Sequence, residues 1–204
     1  MNVGLIPISA KPYHAGHHAL VEVAAHENGT VYLYVSVSDR KRKGEFPILG
    51  KDMKRVWTEE IEKILPDNVK VIYGGSPVRH VYEFLEDFEA SYITSPSHGK
   101  TCTVYSDPQD TTLNYSMENR VAYFPEAYSA GAIRFAAEEE PERFTRGKGT
   151  PNISGTAMRK ALQEGDSETF AQGLPTGLNA ENVFGILCPD QTALRNYIQA
   201  IISG

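Results

Sequence analysis

The sequence predicts an α/β fold, a doubly wound parallel sheet with helices on both faces, and three observations carry that expectation. Short apolar runs of strand composition alternate with stretches of helical spacing from residue 1 to about residue 95. The first strand, helix and strand follow one another as a βαβ unit, which forces parallel pairing. The 204 residues, 41% hydrophobic and 23% charged, suffice for one sizeable core and hardly for two.

Taken in order, "NVGLIPI" (2–8) is a buried strand ending at a proline and a turn. After Pro12, the stretch from His14 to Asn28 has helical composition, with Leu20, Val21, Val23 and Ala24 on one side and Gly29 expected to cap its C-terminus. "TVYLYVSVS" (30–38), rich in β-branched and aromatic residues, reads as a central strand. "SDRKRKGEFPILG" (38–50) is a basic loop. From Lys51 a helix sets Met53, Val56, Trp57, Ile61, Ile64 and Leu65 at spacings of three and four until Pro66 stops it. "VKVIYGG" (69–75) is a third strand, "VRHVYEFLEDF" (78–88) a third helix and "ASYITS" (90–95) a fourth strand.

Beyond residue 95 the pattern loosens. "TCTVYSD" (101–107) allows a further strand, "PQDTTLNY" (108–115) and "PEAYSAG" (125–131) read as loops, and "AAEEEPERFTRGKGTP" (136–151) is polar and turn-rich. "ISGTAMRKALQEG" (153–165) is a helix with Ser154 as N-cap, closed by Gly165. Short helices follow, with a final one near "DQTALRNYIQAII" (190–202). The architecture expected is Rossmann-like, with residues 1–175 as the main domain and 176–204 as a C-terminal helical segment packed on it.

The formal net charge of −6 argues against a general affinity for nucleic acid or for an anionic membrane, so any phosphate binding must be local. Cys102 and Cys188 stand far apart in no CxxC spacing, which indicates neither a disulfide framework nor a thiolate zinc site and fits a reducing cytoplasm. The N-terminal stretch lacks a basic region before its short apolar run, and no run of about 18 apolar residues occurs, so the chain is expected to be neither exported nor membrane-spanning. The sequons at Asn28, Asn114 and Asn152 are then without meaning.

The chemistry is concentrated in "KPYHAGHHAL" (11–20). In an open α/β sheet ligands sit where strands feed into helix N-termini, and this stretch follows the first strand. His14 and His17, three apart in an expected first helical turn, can face one object, Gly16 lets a phosphate or a flat ring approach the backbone, and the helix terminus favours an anion. Zinc would need at least three ligands, with only His18 and His26 nearby and no HExxH. A surface helix with incidental histidines would leave the proline, the glycine and the spacing unexplained. In "ISGTAMR", Ser154, Gly155 and Thr156 open a helix and Arg159 follows one turn on, so hydroxyls, free N–H groups and a guanidinium can converge on a second face of the same anion.

"HAGH" after an N-terminal strand, paired with "ISGTAMR" near residue 155, resembles the HxGH and ISTxxR signatures of the nucleotidylyltransferase superfamily. That superfamily includes nicotinamide mononucleotide adenylyltransferases, phosphopantetheine adenylyltransferases and cytidylyltransferases. The resemblance implies that His14 and His17 contact nucleotide phosphates and stabilise the charge developing in transfer. It also implies that Ser154, Thr156 and Arg159 hold the β- and γ-phosphates, and that Gly16 lies against the nucleotide. The "ISGT" version looks more like the adenylyltransferases, which favours ATP over CTP. Where many members read GRFxPxHxGH, Ser9, Ala10 and Lys11 stand before Pro12 here, which bears on the acceptor pocket more than on the chemistry.

The reaction implied is attack of a phosphorylated acceptor, nicotinamide mononucleotide first, on the α-phosphorus of ATP or CTP. It works by alignment and charge neutralisation, and Mg²⁺ would bridge the triphosphate through phosphate oxygens and water. Lys11, next to the motif, and Arg40 and Lys43 in the basic loop are further candidates for the phosphates, against a plain solvated loop for Arg40, Lys41, Arg42 and Lys43. His17 and Arg159 are expected to be exposed at the sheet's carboxyl edge. "TSPSHGKT" (94–101) imitates a P-loop but has Thr94 for its first glycine and strand-like "CTVYS" where a helix should follow. Trp57 reads as core rather than as a base-stacking ring, and His80 has no evident partner. Oligomers are frequent in the superfamily. A non-catalytic nucleotide-binding regulator, or a nucleic-acid module using "DRKRKG", would be the competing classes.

Overall fold

The computed structural model describes residues 1–189, so the helix expected near 190–202 lies outside the described residues. In chain order the elements are β1 (Asn2–Ile8), α1 (Ala15–Glu27), β2 (Thr30–Val35), α2 (Gly50–Glu59), β3 (Val69–Tyr73), α3 (Pro77–Thr94), β4 (Thr101–Val104), α4 (Pro108–Asn114), α5 (Met117–Tyr123), α6 (Pro125–Ser129), β5 (Ile133–Phe135), α7 (Ala136–Glu139), α8 (Gly155–Glu164), α9 (Ser167–Gln172) and α10 (Ala180–Leu187), with 3-10 turns at Ile61–Ile64 and Pro141–Phe144. The five strands form one sheet in the order β3-β2-β1-β4-β5, every pair parallel, as the βαβ reading requires. Strand order reverses direction between β1 and β4, the topological switch point of an open α/β sheet.

The chain packs as two compact units. One, the sheet unit, comprises Met1–Ala10, Ala15–Val37 and Leu65–Ile153; the second comprises Lys11–His14, Ser38–Ile64 and Ser154 onward. The division falls inside "KPYHAGHHAL", between His14 and Ala15.

In the sheet unit, consecutive residues Leu5 and Ile6 of β1 are both fully buried. Because neighbours on a strand point to opposite faces, both faces of the sheet are covered there, which is why β1 is a continuous apolar run rather than an alternating one. Pro7 is tolerated in this central strand because pairing with β4 ends at Leu5, whose carbonyl accepts from Tyr105 N at 2.9 Å, while pairing with β2 continues to Ile8. Val81 and Leu85 of α3, with Phe124 and Phe135, complete the core around Leu5, Cys102 and Val104. Burial pushes the Cys102 thiol well above its ordinary range, so it is packing and not a nucleophile.

Several expectations need correction. Gly29 is not in the left-handed conformation of a helix cap. The end of α1 is closed instead by side chains: Asn28 Nδ2 donates to Ala24 O (2.8 Å) and Asn68 Nδ2 to Ala25 O (2.8 Å), so two amides satisfy carbonyls that the helix leaves open. "ASYITS" is not a strand. Ser76 caps α3, accepting from Arg79 N at 3.3 Å, Pro77 occupies its first position, and nothing breaks the helix until Ser95. The fourth strand is "TCTV". "PQDTTLNY" and "PEAYSAG" contain helices α4 and α6, and β5 lies in a stretch with no strand assigned. The signals for α4 and α5 were local caps: Asp107 accepts from Asp110 N (2.7 Å) and Ser116 from Asn119 N (3.2 Å). His80 does have partners, with Nε2 at 3.0 Å from Gly74 O and its ring stacked on Tyr34.

In the second unit, Asp39 Oδ1 accepts from Gly50 N at 2.8 Å where α2 begins. Met53, Val56 and Trp57 form the buried side of that helix, in agreement with Trp57 as core. The Glu60 carboxylate accepts from Asn179 N (3.1 Å) and Asn182 Nδ2 (3.0 Å), tying the start of α10 to the end of α2. Helix α8 is built as expected, with Ser154 Oγ accepting from Ala157 N at 3.0 Å and Gly165 closing it at φ 66°.

Ala10 is buried with φ 51°, a left-handed conformation that an alanine adopts at a cost of about 1 kcal/mol. Glycine there would relieve that strain and lose a methyl and chain stiffness, so Ala10→Gly is expected within about 1 kcal/mol of wild type in urea unfolding. Ala10→Val, β-branched at positive φ, is expected to cost at least about 2 kcal/mol, and equal stabilities of the two variants would contradict the strain.

Candidate phosphate-binding site

The residues that the motifs single out fall largely in the second unit. Lys11, Pro12, Tyr13 and His14 form a buried strap between the last residue of β1's exit and the first of α1. Tyr13 is held against Trp57 with ring centroids 4.9 Å apart. Lys11 is only 5% exposed, and its carbonyl accepts from Arg159 Nη1 at 2.8 Å. Arg159 is therefore buried, at 7% exposure, and not exposed as expected, because its side chain folds onto the strap and onto its own helix. Its Nη2 donates to Thr156 Oγ1 at 3.3 Å. A side chain at position 155 would push this guanidinium aside, since a Cβ on Gly155 would stand 2.8 Å from Arg159 Nη1. The glycine leaves the arginine its present position beside the first turn of α8.

Arg159 Nε points elsewhere. It is buried, makes no hydrogen bond, and lies 3.5 Å from Glu45 Oε2. Glu45 is in turn gripped by Arg40, Nε to Oε2 at 2.9 Å and Nη2 to Oε1 at 3.1 Å, the two-pronged geometry of a guanidinium on a carboxylate. Arg40 and Ile48 exchange backbone hydrogen bonds of 2.8 and 3.0 Å, so residues 41–47 form a loop closed at its base, with Gly44 at φ 82° supplying the reversal.

The electrostatics are those of positive charges gathered around Arg40. Burial, then the charge of Arg40, brings the Lys11 ammonium down from 10.5 to about 8, with Asp39 opposing. Burial, then Arg40, also lowers Arg159, with Glu45 opposing. Glu45 is held below the ordinary carboxylate range, first by its hydrogen bond from Arg40. Three cations in one neighbourhood, two of them buried, are costly for folding and useful for binding phosphate.

Lys11 makes that cost measurable. Its folded value lies below its unfolded one, so the charged form destabilises the fold; the penalty is complete below about pH 8 and fades as pH rises toward 10.5. Lys11→Met is expected to be more stable than wild type at pH 7 by on the order of 2–3 kcal/mol, with the difference shrinking by pH 10. A difference that does not change with pH in urea titrations would contradict a strained ammonium.

Not every candidate joins this cluster. Lys43 is exposed and lines, with Lys41, Arg42, Phe46 and Leu187, a cavity of about 930 Å³ that Glu45 also borders. Ser154 is engaged as a helix cap. His14 precedes α1 rather than standing in its first turn, while Gly16 and His17 do stand there, half-buried, and belong with Ser9 to the sheet unit. His18 pairs with Glu22 one turn on, Nε2 to Oε1 at 3.0 Å. Among the described residues no group of three or more His, Cys, Asp or Glu is placed to hold a metal ion. Gly99 and Lys100 lead into β4 and not into a helix, so "HGKT" lacks the P-loop context. Glu45 and Tyr13 were missed from the sequence. The signal for Glu45 was an acid ending a run of four basic residues; for Tyr13 there was only its place between Pro12 and His14.

No protein-family model and no curated protein sequence matches the chain. Among solved structures, a Vibrio parahaemolyticus protein assigned as a nicotinate-nucleotide adenylyltransferase is similar over 89% of this chain and 97% of its own, with TM-score 0.51 and 17% identity. A Francisella tularensis bifunctional NMN adenylyltransferase/ADP-ribose pyrophosphatase aligns with all of this chain at TM-score 0.43 and 11% identity. Thermotoga maritima TmcAL bound with alpha-thio ATP aligns with 94% of it at 0.41 and 16%. The chain spans about half the length of these last two, 56% in each case. No helix of the described residues is long and apolar enough to cross a membrane. The five-stranded parallel α/β fold of this chain is similar to the fold of the Vibrio protein over 89% of this chain.

Proposed function

We propose that the protein is a nucleotidylyltransferase that binds ATP and transfers its adenylyl group to a small phosphorylated acceptor, nicotinamide mononucleotide in first place. The observation that carries this is the cluster of Arg40 and Arg159 on the Glu45 carboxylate, with Lys11 beside Arg40 and its carbonyl bonded to Arg159, Lys11 and Arg159 lying by the stretches that resemble HxGH and ISTxxR. An acceptor oxygen attacks the α-phosphorus in line, the bond from that phosphorus to the α,β-bridging oxygen breaks, and pyrophosphate leaves with the electron pair. Arg159, Lys11, Arg40 and the Thr156 hydroxyl meet the β- and γ-phosphates, where negative charge accumulates as that bond breaks. The resemblance adds His14 and His17 as further phosphate contacts. No protein nucleophile is needed, and the buried thiols of Cys102 and Cys188 offer none. The polar side chains of this cluster are mainly cations and would not hold Mg²⁺ themselves; an Mg²⁺ ion arriving with the triphosphate would supply neutralisation of phosphate charge.

The test is pyrophosphate release with Mg²⁺, with ATP and CTP in parallel against acceptors headed by nicotinamide mononucleotide. Release that requires ATP and one phosphorylated acceptor is the expected result. Release with CTP alone would make it a cytidylyltransferase. Nucleotide binding with no release on any acceptor would favour a regulator that keeps the cradle without turnover.

A further inference from the structure

We propose that Glu45 is a built-in competitor of the phosphates: its carboxylate takes, between Arg40 and Arg159, the place of a phosphate, so that only an anion of several charges displaces it. The inference rests on the reading that Arg159 holds nucleotide phosphates. Arg40 presents to Glu45 the same planar fork that a guanidinium presents to a phosphate. Oε2 of that carboxylate is also the acid nearest Arg159 Nε, at 3.5 Å, yet too far to satisfy that buried N–H. Two oxygens serve Arg40 fully and Arg159 only in part. A phosphate, with a third terminal oxygen, serves both.

The charges point the same way. Arg40, Arg159 and Arg42 act on Glu45, while Asp39 acts on Lys11 and is committed to Gly50 N and to Lys41, 3.4 Å away. With Glu45 in place, part of the cluster's positive charge is already used, and less of it is left for a triphosphate. Exchanging Glu45 for a nucleoside monophosphate gains little, while exchanging it for a triphosphate gains several charges. Glu45 thus sets a threshold that a triphosphate clears more easily than a monophosphate.

The loop is built to let it go. The base is fixed by the Arg40–Ile48 backbone pair and by the Asp39 bond to Gly50, so residues 41–47 can move without loosening α2. Glu45 also borders the cavity lined by Lys41, Arg42 and Lys43, where a displaced carboxylate finds cationic partners.

The experiment is calorimetric titration of ATP and of AMP into wild type, Glu45→Gln, Glu45→Ala and Arg159→Ala, each checked for folding by its melting curve. The glutamine variant is expected to bind ATP about 5–10-fold tighter, with the alanine variant moving in the same direction, and to bind AMP tighter by no larger a factor. Unchanged or weaker binding in both Glu45 variants, with Arg159→Ala still deficient, would overturn the proposal and leave the phosphate site standing, Glu45 then serving to position Arg40. Wild-type affinity in Arg159→Ala, or no ATP binding by any folded form, would overturn the phosphate site and this proposal with it.

Discussion

Arg159→Ala is expected to reduce nucleotide-dependent pyrophosphate release by about 10²–10³-fold, the usual consequence of deleting one preorganised donor aimed at developing charge. The guanidinium is fixed before any ligand arrives, by Lys11 O at 2.8 Å, by Thr156 Oγ1 at 3.3 Å and by the absence of a side chain at Gly155. Being buried, its charge is poorly screened by water, so each contact that it makes with a phosphate counts for more than it would on the surface. Arg159→Lys should recover little, because an ammonium radiates its three N–H donors from one nitrogen and cannot span the separate positions that Nη1, Nη2 and Nε take at the Lys11 carbonyl, at Thr156 and toward Glu45. Loss of buried charge offsets loss of hydrogen bonds, so the alanine variant should unfold within about 1 kcal/mol of wild type in urea. Turnover near wild type in a folded Arg159→Ala protein would remove Arg159 from the site.

Arg120→Ala should act on stability alone, lowering it by about 3–4 kcal/mol without changing activity per folded molecule. Arg120 is 2% exposed in the sheet unit. It donates to Tyr115 O at 2.8 Å, to the Tyr128 hydroxyl at 3.0 Å and through both terminal nitrogens to the Glu138 carboxylate, and its guanidinium lies 3.9 Å from the centre of the Phe135 ring. Truncation opens a cavity, strands a buried carbonyl and leaves Glu138 without its partner. Arg120→Met, which keeps most of the volume, should cost about half as much. An unfolding free energy from urea titration lowered by less than about 1 kcal/mol in Arg120→Ala would show that the network is dispensable.

The parallel sheet was legible because its first three strands are apolar runs bounded by turns, and the two helix starts of the candidate site were legible because Gly16 and His17 of "HAGH" and Gly155 and Thr156 of "ISGTAMR" stand in first turns, while His14 precedes its helix. What stayed hidden has physical causes. "SYIT" has strand composition but no breaker separates it from the helix before it, so α3 runs on and overrides local preference. Helices α4 and α6 are 7 and 5 residues long, too short for a periodic pattern, and are held by caps such as Asp107 and the buried Glu89, which accepts from Glu126 N and Ala127 N at 2.8 and 2.7 Å. The burial of Arg159 and the intervening Glu45 depend on residues 11, 40, 45 and 159 meeting in space, and no local pattern records a contact across more than a hundred residues.

The most direct measurement is a structure of the protein with Mg²⁺ and an ATP analogue that resists cleavage between the α- and β-phosphates. The account predicts β- or γ-phosphate oxygens within about 3 Å of the Arg159 guanidinium, with Arg40 turned from Glu45 to the nucleotide. Phosphates bound away from Arg159, at the "HGKT" loop or elsewhere, with the Arg40–Glu45 pair intact, would contradict it.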